Sequence, residues 1–175
     1  MQPERADARL RQRTYSWADP EVAAAAAREV DGGTFFASLT AGELPPPPIA
    51  ETLGFTAAYV GAGVARFELD PEEFHYNPIG SVHGGVIATL CDSACGCAVH
   101  SLLPAGAYYS SLDLSVKFLR RVTAATGRLV CEGTVAHLGA RSALAEATLT
   151  GPDGKLYARA TSSCMIFRPP SEAGR

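Results

Sequence analysis

The sequence predicts an α+β fold in which one antiparallel sheet of five or six strands wraps around a single long helix. Two observations support this prediction. Residues 84–102 form one long apolar run of helical length, and strand-like runs stand on both sides of it. A helix that is apolar on most faces must be buried on most sides, and a sheet curved around it achieves that burial.

Length, charge and composition narrow the class of protein. The chain has 175 residues, 47% of them hydrophobic, which fits one domain with a sizeable core. A net charge of −3 argues against a nucleic-acid-binding or membrane-surface protein, because both need clustered basic residues. The most apolar window, 86–103, is interrupted by Asp92 and His100, so no membrane span is predicted, and we see no signal peptide. Five cysteines do not suggest a disulfide framework, and the cytoplasm is the expected location.

Residues 1–40 are predicted to form a helical extension. Asp19 can cap a helix, Pro20 suits its first position, and Gly32–Gly33 are expected to end it. The following residues, 34–44, are expected to add a short helical turn.

Residues 45–48 are four prolines and are predicted to run extended as a stiff connector. They lie near the start of the main domain, placed at 41–168, and residues 169–175 are expected to be a disordered tail.

Strand signals begin at residue 54. Residues 54–70 read as a hairpin that turns at Gly61-Ala62-Gly63, and Phe67 and Leu69 mark its buried face. After the long helix come four more strand-like runs, at 108–119, 127–138, 141–150 and 155–167. Gly139 marks one of the turns between them, and residues 151–154 mark another.

Gly84 and Gly85 open the long helix. The first N–H groups of a helix have no partner within it and lie at the positive end of its dipole, and glycine lets a ligand approach closely. The pair could therefore bind a developing oxyanion. The alternative is that it only permits a tight turn against the sheet.

Asp92 stands in the middle of the same helix, among small and apolar helical neighbours. Aspartate is unfavourable inside helices and is rarely buried without a partner. A carboxylate at this position can act as a base if a substrate reaches it. The alternative is an aspartate at a subunit interface, hydrogen-bonded to the backbone or to Thr89.

Taken together, these residues resemble a known family. Asn77, then His83-Gly84-Gly85, then Asp92, followed by the Ser-rich strand 110–122, is similar to the PaaI-like acyl-CoA thioesterases of the hotdog-fold superfamily. The resemblance covers roughly residues 40–168. It implies a hotdog fold and hydrolysis of an acyl-CoA to a free acid and CoA, without a metal or other cofactor. It also implies a homodimer, commonly a dimer of dimers, that is, a homotetramer.

The resemblance assigns a role to each matching residue. The N–H of Gly84 would bind the thioester oxygen, helped by Asn77. Asp92 would be the general base or the nucleophile, and Ser111 would hold the attacking water or the carboxylate. His83 would shape the loop and contact the thioester. Ser110 is adjacent to Ser111, so an error of one residue in the strand register would exchange the two.

The spacing of Gly84 and Asp92 leads to a prediction about assembly. Eight helical residues span about 12 Å, whereas catalytic contacts require about 3 Å. One chain's Gly84 and Asp92 therefore cannot serve the same thioester. A two-fold dimer with antiparallel helices can bring Gly84 of one chain to Asp92 of the other.

Basic residues on the later strands are candidates for binding the phosphates of CoA. The candidate CoA-binding residues are Gly85, Arg120, Arg121 and Arg141, and Arg141 belongs to a Gly-x-Arg segment similar to one in the family. The alternative is a solvated strand edge on which positive charge discourages aggregation. The cysteine and histidine spacings do not match a metal site, and we assign the cysteines to packing.

The sequence thus predicts an acyl-CoA thioesterase. An alternative is a non-catalytic acyl-CoA-binding protein, either a sensor or a carrier partner, and a third possibility is a hydratase on the same fold. Asp92 favours the enzyme over the binding protein. Both an aryl group and a medium-chain fatty acyl group are compatible with the sequence.

Overall fold

The computed structural model describes residues 10–169, so the expectations for residues 1–9 and for most of the tail, 170–175, lie outside it. In this part of the chain there are four α-helices and seven β-strands. The helices are α1 (Pro20–Glu29), α2 (Gly32–Thr40), α3 (Pro48–Leu53) and α4 (Gly84–His100). The strands are β1 (Phe55–Gly61), β2 (Val64–Leu69), β3 (Tyr108–Ser111), β4 (Ser115–Phe118), β5 (Leu129–Leu138), β6 (Ser142–Thr150) and β7 (Leu156–Phe167).

All pairings in the sheet are antiparallel, in the order β1-β2-β5-β6-β7, and β3 and β4 both pair with the outer side of β7. Helix α4 packs against β2, β5, β6 and β7. This arrangement is the hotdog fold, and the predicted α+β architecture is confirmed.

Helix α4 is buried on the faces that meet the sheet. Leu90, Cys91, Ala94, Cys95 and Ala98 are fully inaccessible to solvent and form the centre of the core. One strip of the helix stays open in the single chain: its exposed members are Gly85 and Asp92, and its half-buried members are Ala88, Thr89 and Ser93. The sheet therefore covers most of α4 and leaves one narrow face free.

The β1–β2 hairpin turns where the sequence predicts. Ala62 and Gly63 have φ values of 51° and 79°, the left-handed conformation that tight two-residue hairpin turns require. Phe67 and Leu69 face the core with 6% and 1% exposure. The predicted alternation of buried and more exposed side chains along β2 is confirmed.

The run 108–119 is interrupted and forms two strands, β3 and β4. The sheet therefore has seven strands in the described residues, whereas five or six were predicted. The carboxylate of Asp113 accepts a hydrogen bond from Ser163 N (3.1 Å), and the Asp113 carbonyl accepts one from Ser162 Oγ (2.8 Å). These bonds displace the regular ladder, so pairing stops after Ser111 and resumes at Ser115.

The boundary between the first two helices also differs from the prediction. Helix α1 ends at Glu29, and Gly32–Gly33 open α2 instead of closing α1, because Asp31 caps α2 by accepting from Thr34 N at 3.0 Å. Gly32 N donates to Leu103 O at 3.0 Å. A Cβ on Gly32 would lie 1.8 Å from His100 O, so only glycine allows the start of α2 to touch the end of α4.

Pro45–Pro47 do not belong to a helix, whereas Pro48 is the first residue of α3. The predicted extended segment is therefore one residue too long, since proline suits the first turn of a helix, where its missing N–H costs nothing. No helix among residues 10–169 is long and apolar enough to cross a membrane.

Candidate active site

The first turn of α4 presents a free backbone donor. His83 caps the helix: its Nδ1 accepts from Gly85 N at 2.9 Å, and its carbonyl accepts from Val86 N at 3.0 Å. Among residues 10–169, Gly84 N–H has no hydrogen-bond acceptor. The Gly84 N–H, which is the predicted oxyanion donor, can therefore donate to a ligand. The neighbouring Gly85 N–H instead donates to the capping His83 side chain.

Asn77 folds the loop that leads to this helix. Its Oδ1 accepts from Ile79 N (3.1 Å) and Ser81 N (3.2 Å), and its Nδ2 donates to Ser81 Oγ (3.1 Å). Asn77 and Gly84 line the same cleft, of about 570 Å³. The structure thus brings these two predicted site residues together and gives Asn77 a loop-forming role that its spacing did not indicate.

Asp92 lies on the open strip of α4 and is exposed in the single chain. Ser111 Oγ donates to Asp92 Oδ1 at 3.0 Å. The alternative partner considered from the sequence, Thr89, instead donates from Oγ1 to Gly85 O at 2.9 Å. Asp92 and Ser111 together line a second cleft, of about 370 Å³.

Within one chain, Gly84 and Asp92 therefore line different clefts. Their separation of eight helical residues corresponds to about 12 Å along α4. A donor and a carboxylate that far apart do not act on one carbonyl group.

The predicted CoA-binding arginines separate into two groups. Arg120 and Arg121 line the Gly84 cleft, where they donate to Leu156 O (2.6 Å) and Gly80 O (2.7 Å). Arg141 lies elsewhere, in a cleft of about 480 Å³ at the end of β7. The Arg128 guanidinium forms ion pairs with the carboxylates of Asp70 (2.8 Å) and Glu68 (3.0 Å).

Two thiols on α4, those of Cys95 and Cys97, are not competing nucleophiles. Burial raises the pKa of Cys95 and of Cys97 to about 12, so both are neutral thiols near pH 7. All five cysteines are free. Among residues 10–169 there is no cluster of three or more side chains that could hold a metal ion.

Tyr109 was not identified by the sequence reasoning. A Cβ on Gly96 would lie 2.0 Å from Tyr109 Oη, so the phenol packs directly on α4 where the helix carries no side chain. Burial raises the pKa of Tyr109 well above its usual value and keeps the phenol protonated. A glycine inside a helix is the sequence signal for such a close approach.

Comparison with known proteins identifies the family and agrees with the fold. Residues 79–158 match the thioesterase superfamily. A protein from Halobacterium salinarum, provisionally named an esterase, is 40% identical over 75 residues, which are 42% of this chain and 48% of that protein. This chain therefore spans about half the length of that relative.

Two solved structures are similar over most of their length. One, from Ralstonia eutropha JMP134, is provisionally described as a thioesterase and a phenylacetic acid degradation-related protein. It is 32% identical with a TM-score of 0.67, and the match covers 74% of this chain and 98% of that chain. A conserved protein from Pseudomonas aeruginosa is 28% identical with a TM-score of 0.65, covering 70% of this chain and 95% of that chain.

Proposed function

Because this chain belongs to the thioesterase superfamily, we propose that it is a PaaI-like acyl-CoA thioesterase. It hydrolyses an aryl- or medium-chain acyl-CoA to the free acid and CoA. The observation that carries this proposal is the exposed Asp92 carboxylate, held by Ser111 at 3.0 Å on the open strip of α4. A binding protein would have no use for a positioned carboxylate beside the acyl carbon.

Asp92 acts on the thioester in one of two ways, and both ways use one of its carboxylate oxygens. As a general base it removes a proton from water while the water oxygen bonds to the carbonyl carbon. As a nucleophile it bonds to that carbon itself, and water then cleaves the mixed anhydride. In both routes the C–S bond breaks, the CoA sulfur gains a proton, and the acyl group leaves as a carboxylic acid.

The negative charge that develops on the carbonyl oxygen is stabilised by the Gly84 N–H. This donor has no acceptor among residues 10–169 and stands at the positive end of α4. A preorganised donor of this kind contributes most where charge appears in the transition state. Asn77 lines the same cleft and assists the oxyanion, while His83 holds the loop and helix start in place.

We propose that the complete site forms across a homodimer, with Gly84 of one chain and Asp92 of the partner chain. Their location in separate clefts of one chain supports this arrangement. Two antiparallel α4 helices facing through their open strips would create two equivalent sites. The dimers are proposed to pair further into a dimer of dimers.

Arg120 and Arg121 are proposed to bind the phosphates of CoA, because they line the cleft that contains Gly84. Arg141 is kept as a more distant contact for the nucleotide. Five free cysteines suit a reducing compartment, and we propose a cytoplasmic location.

Release of free thiol from a panel of aryl- and fatty acyl-CoA thioesters tests the function. We expect wild-type turnover to fall by at least about 100-fold in Asp92→Asn, a near-isosteric change that removes the base. A native circular dichroism spectrum of the variant would show that the fold is intact. Tight binding of every thioester without turnover by the wild type would support a non-catalytic acyl-CoA-binding protein instead.

A further inference from the structure

An apolar cavity lies next to the open strip of α4 and is separate from the clefts that contain Gly84 and Asp92. Its volume is about 350 Å³, and its walls come from α2, the segment 42–47, α3, β1, β2 and α4. We refer to it as the N-terminal cavity. Most of its wall lies at residues 36–57, which precede the region 79–158 that matches the superfamily.

The lining suits an uncharged, apolar group. Phe36, Phe55 and Phe67 line it and are 5%, 4% and 6% exposed, so the aromatic wall is fixed by the core. Pro45–Pro47 form a further rigid part of the wall. Ile49 lines the cavity and is 45% exposed, which leaves apolar surface at its edge uncovered in the single chain.

The lining of the cavity does not suit the phosphate-bearing CoA part of the substrate. Among its lining residues within 10–169, Glu51 is the only charged side chain, and there is no lysine or arginine. Phosphates and carboxylates are therefore disfavoured here, in contrast to the cleft that contains Arg120 and Arg121. The neutral thiol of Cys97 adds an apolar surface to the floor.

The cavity begins at the residue of α4 that follows the proposed catalytic aspartate in the chain. Ser93 and Cys97 line it, and these residues are one turn apart on the same face of α4. Ser93 directly follows Asp92 along the open strip. Consecutive helical residues point about 100° apart, so the cavity opens on the face of α4 next to the one that carries the Asp92 carboxylate. A group bound at Asp92 would reach the N-terminal cavity by crossing from that face to the Ser93–Cys97 face.

We propose that the N-terminal cavity receives the apolar tail of the acyl group, and that residues 36–57 set which acyl chain is accepted. This inference rests on the proposed function, because Asp92 defines where the carbonyl carbon lies. A volume of about 350 Å³ is at the lower end of small-molecule sites and suits a medium-length tail. The tail would bind in the chain that supplies Asp92.

Filling the cavity tests the proposal. Ala57 is half-buried, lines the cavity from β1, and can be replaced by phenylalanine. Ala58 is exposed and does not line it, so Ala58→Phe is a matched control on the same strand. The measurement is kcat/KM for straight-chain acyl-CoA thioesters from butyryl to dodecanoyl.

In Ala57→Phe we expect the ratio of kcat/KM for the longest accepted chain to that for butyryl-CoA to fall by about 4-fold for each methylene excluded. Ala58→Phe should keep the wild-type ratio. Conversely, Leu39→Ala enlarges the cavity from α2 and should move the preference to longer chains. An unchanged chain-length profile in both cavity variants, with normal melting curves, would overturn the inference while leaving the thioesterase function intact.

A second readout does not need turnover. Calorimetric binding of the free fatty acids should weaken with chain length in Ala57→Phe and not in Ala58→Phe. If no thioester is hydrolysed by the wild type, the proposed function fails, and this binding series still decides whether the cavity holds an apolar tail. Equal affinities for all chain lengths in the wild type would count against it.

Discussion

Ser111 and Asp92 are joined across the open strip of α4, with Ser111 Oγ 3.0 Å from Asp92 Oδ1. Among residues 10–169, the second carboxylate oxygen accepts no hydrogen bond. One oxygen is therefore fixed by the edge strand, and the other stays available for a water molecule or a carbonyl carbon. The pair links β3 to α4, so the pairing of β3 with β7 controls where the carboxylate points.

Replacing Ser111 by alanine should reduce kcat by about 10-fold to 100-fold, because a hydrogen bond to a charged group contributes about 1.5–3 kcal/mol. Ser110→Ala is the matched control, since Ser110 is adjacent, exposed, and makes no hydrogen bond to Asp92 among the described residues. Steady-state kinetics of both variants provides the comparison. Equal losses in the two variants would contradict a specific role for Ser111.

Mixed dimers test whether the site is shared between chains. Asp92→Ala and Gly84→Trp should each be inactive as pure homodimers. After unfolding together and reassembly at equal concentration, half of the dimers contain one chain of each kind, and each such dimer has one intact site. We expect the mixture to recover about a quarter of wild-type activity.

The control is each variant taken alone through the same unfolding and reassembly. Recovery with either variant alone would point to residual activity rather than complementation. If the mixture stays inactive although analytical ultracentrifugation shows dimers, the proposal of a site shared between chains is wrong.

Arg120→Ala should raise KM for an acyl-CoA by up to about 10-fold, since it removes one charge-assisted contact to phosphate at an exposed position. KM for the same acyl group on N-acetylcysteamine should not change, because that thioester carries no phosphate. Arg128→Ala is the control, since Arg128 is already paired with Asp70 and Glu68. A similar rise in KM for both thioesters would assign Arg120 to the acyl end or to folding.

Gly32→Ala should lower the free energy of unfolding by about 1–3 kcal/mol, the usual cost of inserting a methyl group into a packed contact. The new Cβ would lie 1.8 Å from His100 O, a backbone atom that cannot rotate away. Gly33→Ala is the control, because its Cβ would approach the Asp31 side chain at 3.1 Å and no backbone atom closer than 3.8 Å. Urea unfolding of both variants measures the difference, and equal stabilities would show that α2 moves away without cost.

The sequence predicts the elements whose signals are local. The hairpin at 54–70, the long helix and the last three strands follow from apolar alternation and turn residues, and the structure confirms them. The start of α4 at Gly84 and the position of Asp92 on it follow from the motif. These features depend on neighbours a few residues away, which a single sequence contains.

The features that the sequence did not predict depend on distant partners. The interruption between β3 and β4 arises because Asp113 accepts from Ser163, which is 50 residues away in the chain. The start of α2 depends on its contact with the end of α4. Ser111 was expected from the resemblance, but strand alternation alone did not separate it from Ser110, because the choice depends on the register in which Ser111 faces Cys164 of β7.

Most of the wall of the N-terminal cavity, at residues 36–57, and the proposed catalytic segment, at 77–111, are contributed by different stretches of the chain. In the proposed arrangement, insertions, deletions or replacements in the first stretch can therefore change the preferred acyl group during evolution without disturbing bond cleavage. A laboratory could exploit the same separation by exchanging residues 36–57 for those of another hotdog protein. The open strip of α4 would stay unchanged, and only the preference for the acyl group would change.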